Sequence, residues 1–383
     1  MNRNHVYSWA FVAVLGTSVW GCARPGTLFP LPDGVRGSVS GQSRSPGSTL
    51  RVLHVLPEER GTFLVNAVSR AKSSVKLQVY MLTHPGLIDA LVKTHRRGVS
   101  VQVLLEEKPY NPGNPSAPLP TNRAAYKTLS SAGVPVRWSD PSFRFTHAKA
   151  VTVDDVTTYV STANFTKSGL STEGRGAREY VIEDRVPPDV AEFSAMFAAD
   201  WERRAYVPES PDLVVSPTNS REKILSLIAS ARKEVFVQVE VAGDPEVSTL
   251  LAQKVRDGVK VRALLADLRR LQSEDDPALP ANTDVARLWR DNGIEVLFQK
   301  SPHLHAKAIQ VDGGRFYVGS VNLTSNSLNN NRELGVLIDT PDLANKMAQV
   351  MNSDYSRGQT VSTVLYNGES LPFFAPPGFI FFR

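Results

Sequence analysis

Between residue 50 and about residue 355 the spacing of apolar positions switches repeatedly between a helical and an extended period. Helical spacing covers residues 62–72, a β-rich run follows at 75–81, a second helix at about 85–97, and a second apolar run at 99–105. The same four elements return in the same order at 221–232, 235–241, 246–257 and 259–265. Strands that alternate with helices predict a mixed α/β sheet in each half, covered by helices on both faces. After each second apolar run comes a Pro-rich stretch, residues 108–122 and 272–282, read as a loop that either shapes a substrate mouth or is a surface excursion.

The two halves are copies. Ala71-Lys72-Ser73-Ser74-Val75-Lys76-Leu77-Gln78-Val79 aligns with Ala231-Arg232-Lys233-Glu234-Val235-Phe236-Val237-Gln238-Val239, and Gly98-Val99-Ser100-Val101 aligns with Gly258-Val259-Lys260-Val261. Gly133-Val134-Pro135-Val136 likewise matches Gly293-Ile294-Glu295-Val296, and His147-Ala148-Lys149 matches His305-Ala306-Lys307. A repeat this long is a duplicated domain, far longer than a solenoid unit. The first half is expected over residues 50–205 and the second over 206–360.

What flanks the repeat differs from it. Residues 1–22 read as an export signal: Arg3 and His5 precede an apolar run, Val6 to Trp20, that ends at Val19-Trp20-Gly21-Cys22. A small residue before a cysteine resembles a bacterial lipoprotein cleavage site, which makes Cys22 the expected lipidation site and places the protein in the cell envelope, anchored to a bacterial membrane; a plain signal peptide would leave it periplasmic or secreted. Residues 23–49, rich in Pro, Gly and Ser, read as a flexible linker, and residues 361–383 as an apolar C-terminal tail. With one cysteine among 383 residues there is no intrachain disulfide framework and no Cys-rich zinc or iron–sulfur site. The net charge of +5, from 43 Lys and Arg against 38 Asp and Glu, admits an anionic lipid or a nucleic acid without choosing between them.

The chemistry is concentrated in one repeated motif. His147 and Lys149 stand two residues apart at the head of an apolar run that closes at Asp154, and a further strand leads to Thr162-Ala163-Asn164; the second half repeats this with His305, Lys307, Asp312, Ser320 and Asn322. Alternate residues of a strand share a face, so imidazole and ammonium project together, and a turn at Asp154-Asp155 or Asp312-Gly313-Gly314 makes each motif a hairpin that brings His, Lys and Asn to one end. Core packing has no use for matched polar side chains at these positions. No His-Glu-x-x-His or similar metal-ligand spacing is present, so two His, two Lys and two Asn read as a metal-free site for an anion, with no cofactor. Lysines and asparagine amides bind the non-bridging oxygens of a phosphodiester and stabilise charge as it builds.

These motifs resemble the phospholipase D superfamily, whose signature is His-x-Lys, four residues, Asp, six residues, then Gly-Ser or Gly-Gly, one residue and Asn. The second copy, through Gly319-Ser320-Val321-Asn322, fits completely; the first departs with Ser161-Thr162 in place of Gly-Ser and keeps every polar functional position. The resemblance covers about residues 50–355 and implies a duplicated phospholipase D-type fold, two mixed-sheet α/β halves related by a pseudo-twofold with one active site at their interface. It further implies that one imidazole attacks phosphorus to form a phosphohistidine while the other protonates the departing alcohol and later activates water. His147 is assigned as nucleophile, His305 as acid and base, and Lys149, Lys307, Asn164 and Asn322 as phosphoryl ligands, with Ser320 and Thr162 as added hydroxyl donors to substrate. Glu179 and Glu333, at unequal distances from Asn164 and Asn322, fall where the family carries an acidic residue that orients a histidine. Asp154 and Asp312 are expected to support the hairpin rather than touch substrate.

The motif is blind to substrate, because fold and motif define phosphodiester chemistry while the loops define what is cleaved. The export signal, the lipid anchor and the apolar tail favour a phospholipid at a membrane surface, hydrolysed or transferred to another alcohol. An exported metal-independent nuclease, a cardiolipin synthase-like transferase and a non-catalytic envelope protein that binds anionic lipid are the alternatives. Both histidines lie on one chain, so a monomer suffices for catalysis.

Overall fold

The computed structural model describes residues 50–110, 121–267 and 282–360. The expected export signal with Cys22, the expected linker, most of both Pro-rich stretches and the expected apolar tail lie outside these residues.

The first half runs β1 (Arg51–Leu56), α1 (Thr62–Arg70), β2 (Ser74–Val79), α2 (Pro85–Arg96), β3 (Ser100–Leu105), α3 (Thr121–Ser131), β4 (Val136–Trp138), β5 (Lys149–Val153), β6 (Thr157–Ser161), α4 (Lys167–Leu170), β7 (Glu179–Asp184) and α5 (Pro187–Trp201). The second repeats it as β8 (Leu213–Ser216), α6 (Ser220–Ala229), β9 (Glu234–Val239), α7 (Pro245–Arg256), β10 (Lys260–Ala266), α8 (Asn282–Asp291), β11 (Glu295–Gln299), β12 (Lys307–Val311), β13 (Phe316–Gly319), α9 (Ser325–Asn329), β14 (Glu333–Ile338) and α10 (Pro341–Ser356). Each half is a seven-stranded mixed sheet, ordered β1-β7-β6-β5-β2-β3-β4 and β8-β14-β13-β12-β9-β10-β11. Helical crossovers return the chain in the same direction, so β2, β3 and β4 are parallel; the tight turn after β5 makes β5 and β6 antiparallel. This is the duplicated mixed α/β architecture expected from the sequence, repeated strand for strand.

Alternation along each strand sorts the two faces. Val75, Leu77 and Val79 of β2 join Leu64 and Val68 of α1, Leu87 and Leu91 of α2 and Leu129 of α3 in one apolar core. On the opposite face Ala150 of β5 and Val160 of β6 meet Phe193 and Met196 of α5, and there the core continues into the second half through Leu213, Val215 and Leu334. Leu53, Val55, Tyr180 and Ile182 likewise pack with Phe236, Ala306, Ala308 and Met347. The halves are thus joined by shared apolar cores between the strands that carry the motifs.

Asp154 and Asp312 explain themselves at the hairpin turns. Both sit at positive φ, 58° and 53°, followed by Asp155 at 52° and Gly313 at 67°, as a two-residue turn matching the sheet's twist requires. The Asp154 carboxylate accepts the backbone N–H groups of Lys72, Ser73 and Ser74, and Asp312 those of Arg232, Lys233 and Glu234, which pins each hairpin to the start of β2 or β9. Partial burial pushes both carboxyls up, but the backbone donors outweigh it and hold them below the usual carboxylate range. Asp312→Ala leaves three donors without their acceptor and puts a Cβ residue that cannot bond locally at positive φ; a loss of about 1–3 kcal/mol in denaturant unfolding is expected, and less for Asp312→Asn, which keeps an acceptor and tolerates that φ.

Candidate active site

Each motif histidine stands two residues before its strand, and its position is set by the other half. The N–H groups of His147 and Ala148 donate to the carbonyl of Arg332, at 2.8 and 2.9 Å, and the N–H of Arg178 donates to the carbonyl of His303 at 2.7 Å. Thr146 and Arg332, and Arg178 and Leu304, form isolated parallel bridges between the halves. The segments carrying the histidines are therefore laid against the segments that open β14 and β7 of the opposite copy.

The glutamates complete this exchange. His147 Nδ1 lies 2.9 Å from Glu333 Oε2, and His305 Nδ1 lies 2.6 Å from Glu179 Oε1. Each imidazole stands against the carboxylate of the other half, His147 in a hydrogen bond and His305 in a close ion-pair contact, so neither half holds a complete site. The unequal spacing from Asn to Glu has a simple cause: Glu179 and Glu333 both open the last strand of their sheet, and the first copy has a longer turn, with Ser171 in the left-handed region, after α4. Burial pushes the Glu333 carboxyl up, but His147 and Lys149 outweigh it and hold it below its ordinary value. A carboxylate on Nδ1 fixes that nitrogen as the donor and directs the lone pair of a neutral ring to Nε2. His147 Nε2 is buried with no hydrogen-bond partner, and so is Asn164 Oδ1. Orphaned polar atoms of this kind are costly, and beside the motif a polar ligand can satisfy them.

Lys149 and Lys307 are fully buried. Their ammonium groups donate to the carbonyls of His147 and His305 at 2.6 and 2.7 Å, so each lysine also ties down the backbone of its own histidine. Asn322 is buried with Oδ1 3.3 Å from the N–H of Val241. Each ammonium is thus held at the head of its hairpin, against the main chain of its own histidine.

The two hydroxyls are engaged within the protein. Thr162 and Ser320, read from the sequence as donors to substrate, are fully buried and bonded within the protein. Thr162 donates to Glu179 Oε2 at 2.5 Å and accepts the N–H of Tyr180, while Ser320 accepts the N–H of Leu334 and donates to its carbonyl. They steady the opening of the neighbouring strand, where the glutamate stands, and so act on the histidine of the other half through it. Sequence spacing brings a hydroxyl near the site; which partner it takes depends on the adjacent strand.

The first motif's departure, Ser161 for Gly319, also has a local reason. In the second half the Tyr317 hydroxyl accepts the N–H of Val321, and the tyrosine side chain fills the space where a Cβ on Gly319 or Gly335 would stand. In the first half Ser161 Oγ accepts the corresponding N–H of Ala163 at 2.9 Å. Two different side chains satisfy the same buried amide, so the substitution leaves the turn into Asn164 intact.

Three polar sets escaped sequence reasoning. Arg178 donates through Nε and Nη2 to Asp354 at 2.6 and 3.0 Å, and Arg332 pairs with Asp200 at 2.9 Å, again crossing between halves. Gln78 and Gln238 add a bond to Asp200 and Asp354 at 2.8 and 2.9 Å. Asn122 Nδ2 donates to the carbonyls of Tyr80 and Glu106, and Asn282 to those of Glu240 and Ala266, which fixes the chain just beyond β2 and β9. The signal for the first of these sets lies in the aligned repeats, where Gln78 matches Gln238 and an Arg precedes each Glu. The third set breaks the symmetry. Tyr80 stands edge-on to His147, ring centroids 4.8 Å apart, whereas its counterpart Glu240 lies 2.7 Å from Lys307 Nζ and 3.6 Å from His305 Nε2.

Known proteins place this arrangement. The chain matches the family described as cardiolipin synthase, PLD-like domain, twice, over residues 64–201 and 224–355. Cardiolipin synthase B of Salmonella typhimurium is 26% identical over 314 residues, covering 71% of this chain and 72% of that protein. Among solved structures, phosphatidylserine synthase of Haemophilus influenzae superposes with a TM-score of 0.58 at 15% identity, covering 80% of this chain and 85% of that one. Polyphosphate kinase from Porphyromonas gingivalis superposes with a TM-score of 0.60 at 17% identity, covering 80% of this chain and 50% of that one. At these identities the superpositions show the fold alone. The two family matches each enclose one His-Lys-Asp-Asn motif and together span most of the chain, which therefore belongs to the phospholipase D superfamily of phosphodiesterases and phosphatidyltransferases.

Proposed function

We propose that this protein cleaves the phosphodiester of a phospholipid headgroup, passing the phosphatidyl group to water or to another alcohol through a phosphohistidine. The observation that carries the reading is the pair of crossed His–Glu couples, one of which leaves a buried, unpartnered Nε2 on His147. In the first step His147 Nε2 attacks phosphorus, the bond from phosphorus to the leaving oxygen breaks, and that oxygen takes a proton from His305 Nε2. In the second an incoming hydroxyl attacks phosphorus, the P–N bond breaks, and its proton passes to His305. Lys149, Lys307, Asn164 and Asn322 bind the non-bridging oxygens and stabilise the charge as it builds.

The cardiolipin synthase relatives, the export signal and the proposed anchor at Cys22 support a phospholipid substrate at a membrane of the cell envelope. Incubating the protein with phosphatidylglycerol vesicles and, separately, with single-stranded and plasmid DNA decides the substrate. Release of headgroup from vesicles is expected, with transfer to added ethanol or glycerol showing whether an alcohol competes with water. DNA cleavage with intact vesicles would replace the lipid reading by the nuclease one and leave the phosphohistidine in place. Among the described residues no three His, Cys, Asp or Glu side chains are grouped to hold a metal ion. Turnover is accordingly expected to persist in excess EDTA, and loss that returns with a divalent cation would contradict the metal-free reading.

A further inference from the structure

The two copies are alike in every His, Lys, Asp and Asn of the motif but not in the charge around it. Around His147 stand Glu333, Lys149 and the neutral Tyr80, whose ring lies 5.4 Å from the Lys149 ammonium. Around His305 stand two carboxylates, Glu179 on Nδ1 at 2.6 Å and Glu240 at 3.6 Å from Nε2, with Lys307 between Glu240 and the histidine's own carbonyl. Here the charges balance only when the imidazole is protonated.

We propose that Glu240 is a positioning residue that keeps His305 an imidazolium with its Nε2 proton held in the site, so that His305 is the proton donor and His147 is left as the nucleophile. The inference rests on the phosphodiesterase reading above and adds to it what separates two otherwise equivalent histidines. An imidazolium has no lone pair with which to attack phosphorus, while His147, its Nδ1–H committed to Glu333, presents Nε2 unpartnered. The groups that act on His305 come from four segments: Glu179 from β7, Glu240 beyond β9, Lys307 from β12 and His303 from the turn before it. Burial pushes the His305 imidazole down, and Lys307 adds to that, but Glu179 and Glu240 outweigh both and raise it above its ordinary value. Burial pushes His303 down, which leaves it a neutral neighbour near neutral pH. Burial pushes Glu240 up, and His305 and Lys307 reverse this to hold it ionised.

The test compares wild type, Glu240→Gln and Glu240→Tyr, the second copying the first half, on two substrates: phospholipid vesicles, whose leaving alcohol needs a proton, and a p-nitrophenyl phosphodiester, whose leaving group does not. Both variants are expected to move the alkaline limb of kcat/KM to lower pH by about one unit and to lose at least about tenfold on vesicles at pH 8, with a smaller loss on the nitrophenyl ester. In wild type, acid-free denaturation during turnover followed by peptide mapping should find the phosphoryl adduct on His147. An unshifted limb in both variants, or equal losses on the two substrates, would overturn the role of Glu240. So would an adduct on His305 in wild type, a measurement that stands even if a variant fails to fold. Cleavage of neither substrate by wild type would instead sink the phosphodiesterase reading, and this inference with it.

Discussion

His305→Ala is expected to lower turnover by about a thousandfold or more while leaving the protein folded. The activity loss follows from what no other group in the site supplies: a proton for the departing alcohol, and later a base for the incoming one. Folding is expected to survive because neither carboxylate that flanks His305 depends on it alone. Glu179 keeps the Thr162 hydroxyl at 2.5 Å, and Glu240 keeps the Lys307 ammonium at 2.7 Å. Turnover on vesicles and thermal unfolding of the same preparation check both halves of the expectation. Near-wild-type turnover in a folded variant would sink the two-histidine mechanism. His147→Ala should match the loss but differ in kind, since it removes the atom that carries the phosphoryl group, and no adduct should accumulate on that variant with any substrate.

Arg178→Ala is expected to cost about 3–5 kcal/mol of stability, the largest effect of any single substitution away from the site chemistry. Arg178 is nearly inaccessible, and its guanidinium donates to both oxygens of Asp354, to the carbonyl of Leu56 and to Glu58. Burying such a pair gains little over an apolar pair of the same shape, but removing one partner strands the other: Asp354 would keep only Gln238 and the partly exposed Arg357 as side-chain donors. Because the Arg178 main chain also bonds His303 and His305, the loss should loosen the second site histidine as well. Denaturant unfolding measures the first effect and turnover of the folded fraction the second. Arg178→Lys, with one ammonium in place of a planar fork, should recover only part of the stability. An unchanged unfolding midpoint in Arg178→Ala would show that the crossed Arg–Asp pairs do not hold the halves together.

Much of this site is legible in the order and spacing of residues. The alternation of helix and strand, the duplication, and the His, Lys, Asp and Asn positions depend on spacings within a few dozen residues, and such spacings translate directly into faces of strands and ends of hairpins. Spacing of that kind places Asp154 and Asp312 at the hairpins, and both are found holding the turn to the neighbouring strand. The protein partners of the Thr162 and Ser320 hydroxyls are not legible in this way, because a side chain near a site has several partners in reach, and the adjacent strand, distant in sequence, supplies these ones. Glu240 carries no motif at all. It stands where the first copy has an aromatic residue, and only its approach to Lys307 and His305 distinguishes it from any other glutamate at the end of a strand.

Fold class, the number of copies and the kind of chemistry all follow from the chain's order of residues, since each is written in periods and local spacings that hold without knowledge of distant contacts. Three things emerge only when the chain is folded: which glutamate serves which histidine, that the Arg–Asp clamps cross between halves, and that one imidazole lies between two carboxylates while the other lies beside a tyrosine. The physical reason is one of range. His147 and Glu333 are 186 residues apart, and no local rule relates them until the two halves pack together and bring the openings of their last strands against each other's motifs.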